Sequence, residues 1–440
     1  MKICETTLSY VLFFDGLYCF SFSQKRTGSK KKSRHYCFLS ISVVSLVSLA
    51  QIDCFRRNMK FWVLLGLSPN KDLHGYYYHY SVAFILAFII IYDSLAVINF
   101  YFIPRNIDQF IGDMIFTFTE FSVMSKVLTL FFLKDKIVET FDTLEGDVFQ
   151  PDTEKGQRIV EAAKKFNIRY WKIVAIVSYT SNLTHMSSPM LAHLFASAKL
   201  EFPVSSYSFL SENLLETFQY PIYIYQCLGI HFQMLYNLNI DTFFLGLMIF
   251  VIAQLEILEE KLMDTATIVV GSSTDRSTRN EVVEQKSIAN LDKAIDHYQA
   301  VNEFCILIQD IFGISLFVQF TMASCIICVC LFRFTMPAPA NYFVFLATYL
   351  FIMIIQIMIP CWVGSCIMEK SCLLSRAIYN CDWTDRSGRF KSSLRLFVER
   401  ANRPLSITGW KMFPLSLNTF TSIMNSAYSF FTLLRNVQNQ

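Results

Sequence analysis

The sequence predicts an all-α membrane protein with seven transmembrane helices, and three observations support that fold class. The 440 residues are 53% hydrophobic, and their mean hydropathy is +0.39. Apolar runs of about 20 residues, the length that crosses a bilayer as a helix, recur along the chain. Basic residues cluster between these runs, and the net charge of +3 is too small to indicate binding to nucleic acid. We therefore expect a multi-pass protein of the cell membrane.

Seven apolar segments are expected to span the bilayer. They are residues 81–103, 110–133, 168–196, 218–240, 304–332, 341–366 and 411–434. The run from Phe218 to Leu258 is longer than one crossing needs at about 1.5 Å per residue, and its middle, 231–241, is polar. We expect one long fourth helix whose second half leaves the membrane.

The orientation follows from Lys and Arg alone, because basic residues in short loops remain on the cytoplasmic side. Eleven of them precede the first span, and the loops 134–172, 257–303 and 367–411 hold 8, 5 and 9. The other loops between spans hold only Arg105 and Lys199, with Arg333 beside the fifth span. We expect a cytoplasmic N-terminus and an extracellular C-terminus, the reverse of a G-protein-coupled receptor.

No motif in the sequence indicates catalysis or a cofactor, so we expect that the protein is not an enzyme. A phosphate-binding glycine loop, a paired His-Glu metal motif and a serine elbow are all missing from the sequence. Among the 13 cysteines, Cys325, Cys328 and Cys330 form a close group inside an apolar run, where a thiol behaves as a small hydrophobe. We expect buried free thiols rather than a metal site or a disulfide framework.

The C-terminal quarter carries the most specific motifs. "AIYNCDW" at 377–383 is followed by "LFVERANRPLSITGWKMFPLSLNTFTSIMNSAYSFFTLLRN" at 396–436. These stretches closely resemble the C-terminal signature of the insect odorant receptors. The resemblance implies an odorant-gated, poorly selective cation channel of olfactory neurons that detects small volatile organic molecules. It also implies a hetero-tetramer with an odorant co-receptor subunit, a last helix that lines the pore, and a cytoplasmic anchor that holds the subunits together.

Four segments are then expected along the chain. Residues 1–58 form an N-terminal leader on the cytoplasmic side, 59–366 the first six transmembrane helices with the ligand-binding bundle, 367–410 the anchor, and 411–440 the last transmembrane, pore-lining helix. The leader contains a stretch like a signal-peptide core, but that stretch lies too far from the start to be a good one. Either it is an additional segment, or the working chain starts at Met59, which opens "MKFWVLLGLSP"; we favour the second.

The last helix has a polar stripe. Ser422, Ser426, Ser429, Leu433 and Val437 share one helical face by their spacing, and Asn425 flanks it. An uncharged hydroxyl face lets hydrated cations pass, and apolar side chains at its outer end can close the path by dewetting. The alternative is that the same polar residues only pack against neighbouring helices.

The anchor segment contains a predicted amphipathic helix. Trp383, Phe390, Leu394 and Phe397 supply its apolar face, and Arg400 and Arg403 mark its end. Such a face can lie on membrane lipid, but the resemblance favours contact between subunits.

A ligand site is expected in the outer halves of the second, third, fourth and sixth spans. The candidate aromatic residues are Phe118, Phe121, Tyr179, Tyr220, Tyr223, Tyr342 and Phe345. Asp93 and Glu120 lie near mid-membrane, where a carboxylate must be neutral, paired or wet. Lys126 is expected to extend towards the inner face.

Two other functions stay open. One is a gustatory-type channel, which differs by the chemistry of its ligand. The other is a secondary transporter, which predicts internal repeats that we do not find.

Overall fold

The computed structural model describes residues 51–69, 75–103, 107–196, 200–265, 276–337, 340–379, 383–384 and 386–438. These residues belong to one compact unit. The predicted leader up to residue 50 lies outside the described residues.

The described chain is almost entirely helical, which confirms the predicted all-α class. The helices are α1 (Arg56–Leu64), α2 (Gly75–Ile85), α3 (Ile91–Phe102), α4 (Ile107–Phe132), α5 (Lys134–Glu145), α6 (Glu154–Ala196), α7 (Glu212–Thr217), α8 (Gln219–Thr265), α9 (Arg276–Arg333), α10 (Ala340–Tyr379), α11 (Gly388–Ala401) and α12 (Leu417–Gln438). A π-helical turn, Leu86–Ile90, joins α2 to α3, and 3-10 turns occupy Ile52–Phe55 and Asp147–Phe149. Two short strands, β1 (Thr408–Gly409) and β2 (Phe413–Pro414), pair antiparallel, with Thr408 opposite Pro414.

Within the described residues, five helical segments are long and apolar enough to cross a membrane. They are Gly75–Phe102, Gln109–Phe132, Gln219–Met263, Glu284–Arg333 and Tyr342–Tyr379. The predicted third and seventh spans lie in α6 and α12, which are also helical but more polar. The first half of α6 is charged, and α12 carries the hydroxyl and amide groups of its polar stripe.

α8 and α9, which contain the predicted fourth and fifth spans, extend well beyond one bilayer thickness. α8 has 47 residues and α9 has 58, which gives lengths of about 70 Å and about 87 Å against a hydrocarbon core of about 30 Å. Apolar side chains of α8 from Leu235 to Leu262 are mostly buried, because α4, α6, α9 and α10 pack against this helix. A helix that leaves the membrane needs such a protein cover for its apolar face.

Residues 51–58 belong to the folded core rather than to a leader. The fully buried ring of Phe55 contacts Phe243 at 5.0 Å and Phe141 at 6.2 Å between centroids. Asn58 Nδ2 donates a hydrogen bond to Asn239 O of α8 at 2.8 Å. The predicted segment boundary at residue 58 therefore cuts through a packed region.

The contacts just before Phe55 also place residues 51–55 in the folded core. Gln51 Nε2 donates to Phe149 O at 2.7 Å, and burial raises the pKa of the Cys54 thiol to about 12. The stretch from 51 to 55 is too short and too mixed in polarity to show a helical period, which is why the sequence did not reveal it.

The anchor helix α11 has the predicted apolar face, but the same chain covers it. Ser387 Oγ accepts a hydrogen bond from Phe390 N at 3.2 Å and so caps the helix. Phe390, Leu394 and Phe397 are buried, and Phe397 contacts the ring of Tyr298 in α9 at 5.4 Å. This corrects the expectation that these three side chains join subunits. Helical periodicity locates an apolar face, but it does not identify the partner that covers the face.

The last helix begins at Leu417, later than the predicted start at residue 411. The β1–β2 hairpin precedes it, and Trp410 and Lys411 at its turn have positive φ values of 46° and 59°. α10 lies so close to the chain here that a Cβ added to Gly364 would be 2.3 Å from Leu415 O. Ser365 Oγ accepts a hydrogen bond from Leu417 N at 2.9 Å. The start of α12 is therefore fixed to α10.

Candidate functional site

A group of aromatic side chains lies where α4, α6 and α10 meet. The ring of Phe116 is 5.3 Å from His185, 6.2 Å from Tyr349 and 6.4 Å from Phe345 between centroids. The Thr119 hydroxyl is hydrogen-bonded to the Tyr349 hydroxyl. Helical geometry brings these together, since Phe116 and Thr119 are one turn apart on α4, as are Phe345 and Tyr349 on α10. The group offers a large apolar surface with a few polar handles.

Three of the seven predicted ligand residues lie in or beside this aromatic group. Phe345 is a member of it, and Tyr342 contacts Phe345 at 6.3 Å. Phe118 and Tyr342 pack against the same small cluster of buried side chains, which includes Ile326 of α9 and Leu346 of α10. The sequence prediction therefore includes part of this aromatic group, but it does not include Phe116, whose ring contacts His185, Phe345 and Tyr349.

The other four predicted ligand residues are scattered. Tyr223 is buried, and its hydroxyl donates to Met186 O of α6. Tyr179, Tyr220 and Phe121 are each more than a third exposed. The structure does not bring these four residues into one site.

A cavity of about 470 Å³ opens between α3, residues 207–210 and the beginning of α8. Its wall is almost wholly apolar and includes Leu95, Tyr207, Phe218 and Tyr225. The volume lies within the range of small-molecule sites. None of the seven predicted ligand residues is among the described residues that line the cavity. The available signal was the helical spacing of Phe218, which directly precedes α8, with Ile222 and Tyr225 of α8. Tyr207 lies in a loop and gave no such signal.

The two acidic residues noted near mid-membrane are both buried. Asp93 is 4% exposed and Glu120 6% exposed. Gln233 Nε2 of α8 donates a hydrogen bond to Asp93 Oδ1 at 2.6 Å. These side chains lie at the contact of α3, α4 and α8, close to the walls of the cavity.

Lys126 does not extend to the inner membrane face as expected. It is 2% exposed, and its Nζ lies 2.6 Å from Asp241 Oδ1 and 2.7 Å from Asn237 Oδ1. Gln356 Nε2 of α10 donates to the other oxygen of Asp241 at 2.9 Å. A buried charge needs a partner of this kind, and the resulting network connects α4, α8 and α10.

One face of α12 packs against α9 and α10, while the opposite face is uncovered. Ala427 is fully buried, and Ile423 and Met424 pack against the core. The uncovered face contains all six predicted pore residues, Ser422, Asn425, Ser426, Ser429, Leu433 and Val437.

The serine hydroxyls on this face already donate hydrogen bonds within α12. Ser422, Ser426 and Ser429 each donate to the backbone carbonyl four residues earlier, at 2.9 Å. The remaining lone pairs of these oxygens are free to accept. The face can therefore interact with water or a cation without carrying a formal charge.

The sequence matches the family described as 7tm Odorant receptor over residues 106–428. This chain belongs to the odorant receptor family. Odorant receptor 46a, isoform A, of Drosophila melanogaster is 22% identical over 404 residues, which cover 88% of this receptor and 99% of that protein. Odorant receptor 10 of Aedes albopictus is 29% identical over 198 residues, 45% of this receptor and 50% of that protein. The receptor thus aligns with about half the length of Odorant receptor 10.

Two solved structures are similar to this receptor in fold. The insect olfactory receptor OR5 from Machilis hrabei superposes with a TM-score of 0.70 at 17% identity. The same protein in complex with eugenol gives 0.67 at 16% identity. Each alignment covers 87% of this receptor and 97% of the solved chain. The predicted family, the all-α fold and the multi-pass membrane location are confirmed for this odorant receptor.

Proposed function

We propose that this receptor is the odorant-binding subunit of a ligand-gated, non-selective cation channel of olfactory neurons. Its ligands are small volatile molecules that are mostly apolar, and its partner is an odorant co-receptor in a hetero-tetramer within the cell membrane. The uncovered, uncharged hydroxyl face of α12 supports this proposal most strongly. A polar face on a membrane helix is costly against lipid tails, so it needs water or other protein chains around it.

The position of the apolar side chains on α12 supports a gate. Leu433 and Val437 follow the serines on the uncovered face and are 58% and 64% exposed in the single chain. A ring of such side chains, one or two from each subunit, makes a narrow constriction costly to hydrate. The closed state then needs no charged barrier.

The ligand is proposed to bind in the aromatic group or in the cavity beside α3. Both offer aromatic walls with a few polar groups, the composition that suits a small volatile molecule. Tyr342 and Phe345 are proposed to contact ligand at the first of these sites. The insect olfactory receptor OR5 from Machilis hrabei, which is similar in fold, was solved in complex with eugenol, and this supports the proposal of a small-molecule ligand.

α10 is proposed to carry the signal from ligand to gate. Its outer part holds Phe345 and Tyr349 of the aromatic group. Further along, its Gly364 lies against Leu415, and its Ser365 caps the start of α12. A shift of α10 on ligand binding would therefore move the beginning of the pore helix.

The anchor is proposed to contact neighbouring subunits through its exposed side chains. Arg400 and Arg403 are exposed, and Leu396 is 66% exposed on the solvent side of α11. Trp383 lies at the edge of this surface and is only partly buried. Aromatic residues and Arg are enriched in protein interfaces.

Co-expression with an odorant co-receptor tests the proposed function. A panel of volatile compounds should evoke inward cation current in cells that express both subunits, but not in cells that express this receptor alone. Responses only to involatile contact ligands would favour a gustatory-type channel. Ligand uptake without current would favour a transporter and contradict the proposal.

A further inference from the structure

Two neighbouring helices, α1 and α6, each carry a row of exposed basic side chains. On α1, Arg56 and Lys60 are exposed and lie one turn apart. On α6, Lys165, Arg169 and Lys172 are exposed and follow one another at spacings of four and three residues. Each row therefore occupies one face of its helix.

A contact between α1 and α6 brings the two rows together. The guanidinium of Arg57 lies 5.0 Å from the centroid of the Trp171 ring, and the Phe61 ring lies 5.9 Å from it. Lys60 directly precedes Phe61, and Lys172 directly follows Trp171. Lys60 and Lys172 are therefore at a similar level along the two helices, next to this contact.

Asn239 of α8 fixes the arrangement from the buried side. Its backbone oxygen accepts a hydrogen bond from Asn58 Nδ2 of α1 at 2.8 Å. Its Oδ1 accepts one from Trp171 Nε1 of α6 at 3.3 Å. The two basic rows are thus held on one support, and tryptophan is enriched at the level where a membrane meets water.

Both rows change from basic to apolar in the same direction. Four residues after Lys60, Leu64 is 51% exposed, and four residues after Lys172, Ile176 is 66% exposed. Leu183, further along the same face of α6, is 69% exposed. Exposed apolar side chains of a membrane helix face lipid tails, whereas Lys and Arg extend to the headgroups. The ends of the basic rows therefore lie at the headgroup level, within about 6 Å of the apolar region.

Basic side chains outnumber acidic ones on this surface. Lys165 Nζ lies 3.5 Å from Glu161, and Asp53 is exposed three residues before Arg56. Among the described residues, no carboxylate forms an ion pair with the other four side chains of the two rows. The basic surface consists of the two rows together with the residue that contacts Trp171: Arg56, Arg57, Lys60, Lys165, Arg169 and Lys172.

We propose that the basic surface binds the headgroup of a membrane lipid that carries more than one phosphate. In the predicted orientation it lies at the cytoplasmic leaflet, which holds the anionic lipids. Clusters of about four to eight Lys and Arg next to a membrane span are typical of such lipid sites. Guanidinium groups can also bind phosphate through two parallel hydrogen bonds. A headgroup with one net negative charge leaves most of these cations without a partner. The inference goes beyond odorant gating and does not depend on it.

Lipid binding to the purified full-length receptor tests the basic surface. The Kd is measured for a fluorescent short-chain phosphatidylinositol bisphosphate. Phosphatidylserine and phosphatidylcholine with the same chains are the comparison lipids, and free inositol trisphosphate is the soluble competitor. The test variant combines Lys60→Gln, Arg169→Gln and Lys172→Gln, because these side chains are exposed and their loss leaves the core unchanged.

The control variant combines Arg158→Gln, Lys286→Gln and Lys293→Gln. It removes the same number of exposed cations, but from outside the basic surface. Arg158 lies on the same face of α6 as Lys172 and fourteen residues before it, which places it about 21 Å further from the apolar region. The control therefore separates a local site from an effect of total charge.

The expected result is a preference of the wild type for the bisphosphate lipid over phosphatidylserine by at least about tenfold. The test variant should raise the Kd for the bisphosphate lipid by at least about tenfold, since each basic residue near a membrane contributes about fivefold. The control variant should stay within about twofold of the wild type, and added salt should weaken binding. Inositol trisphosphate should compete only at much higher concentration, because it lacks acyl chains.

Three results would overturn the inference. They are an equal Kd for the bisphosphate lipid and phosphatidylserine, an equal loss in the test and control variants, and competition by inositol trisphosphate as strong as by the lipid itself. The first and third are measured on the wild type and need no variant. The Tm of each variant without lipid excludes unfolding as the cause, and the three single substitutions replace the combined variant if it unfolds. Odorant-evoked current, recorded separately, tests the proposed function.

Discussion

At the scale of single residues, substitutions of Leu433 and Val437 test the proposed gate. Both lie near the C-terminal end of the uncovered face of α12 and are more than half exposed. If they close the pore by dewetting, Leu433→Ser and Val437→Ser should raise ligand-independent current in the co-expressed pair, because a polar constriction is easier to hydrate. In the proposed hetero-tetramer the co-receptor subunits are unchanged and keep their own side chains in the constriction, so the leak should be partial.

Leu434→Ser is the matched control for the gate. Leu434 is also exposed, at 43%, but it lies about 100° around the helix from Leu433. Its replacement should raise basal current less. Unchanged basal current and ion selectivity in all three variants, with normal surface expression, would mean that the polar stripe serves only helix packing.

Phe55 tests whether residues 51–58 are part of the working receptor. Its buried ring packs against Phe141 and Phe243, so Phe55→Ala should lower stability by about 3–5 kcal/mol. Thermal unfolding of the purified receptor measures this change, and removal of residues 51–58 should reduce surface expression. Wild-type Tm and expression in both variants would support the original boundary at residue 58.

At the scale of secondary-structure elements, the contact between α10 and the start of α12 can be tested at Gly364. A Cβ on Gly364 would meet the backbone of Leu415, which cannot rotate away as a flexible side chain can. Gly364→Ala should therefore displace the start of α12, cost about 1–3 kcal/mol of stability and reduce odorant-evoked current. Current recordings combined with surface labelling measure the effect.

Gly112→Ala is the control for this contact. A Cβ on Gly112 in α4 meets nothing within 4 Å, and alanine favours a helix more than glycine does. This variant should keep its current and its stability. A Gly364→Ala receptor with normal evoked current would contradict the proposed coupling through α10.

Helix positions were largely predictable from the sequence, but contacts between helices were not. Long apolar runs located the spans, and the spacing of Phe390, Leu394 and Phe397 located the buried face of α11. The start of α12 was predicted too early, because Phe413 and Leu415 are as apolar as a membrane segment although they lie in a hairpin and the loop after it.

In the candidate ligand site, too, residues could be predicted from single helices, but contacts between helices could not. Phe345 was identified by its residue type and its place in an outer half-span. Phe116 and His185 were missed, because their meeting depends on how α4 and α6 pack against α10. The spacing of the hydroxyl residues on α12 depends on one helix alone, and so the six predicted residues could be placed on its uncovered face from the sequence.

At the scale of the whole molecule, the orientation in the membrane remains a prediction from the basic loops. Tags at residue 440 and near 205 should be accessible from outside intact cells, and a tag near 275 should become accessible only after permeabilisation. Antibody labelling of intact and permeabilised cells measures this. An accessible tag near 275 on intact cells would overturn the orientation.

The central claim is that odorant opens a cation path along the uncovered face of α12. The most direct test is to apply a membrane-impermeant, positively charged thiol reagent from outside to a Ser429→Cys receptor, co-expressed with its co-receptor, while odorant is present. Tyr428→Cys is the control, since Tyr428 is 60% exposed but lies about 100° away on the helix. The account predicts irreversible loss of evoked current in Ser429→Cys, with little change in Tyr428→Cys and in the wild type. Evoked current in Ser429→Cys that the reagent leaves intact would contradict the claim.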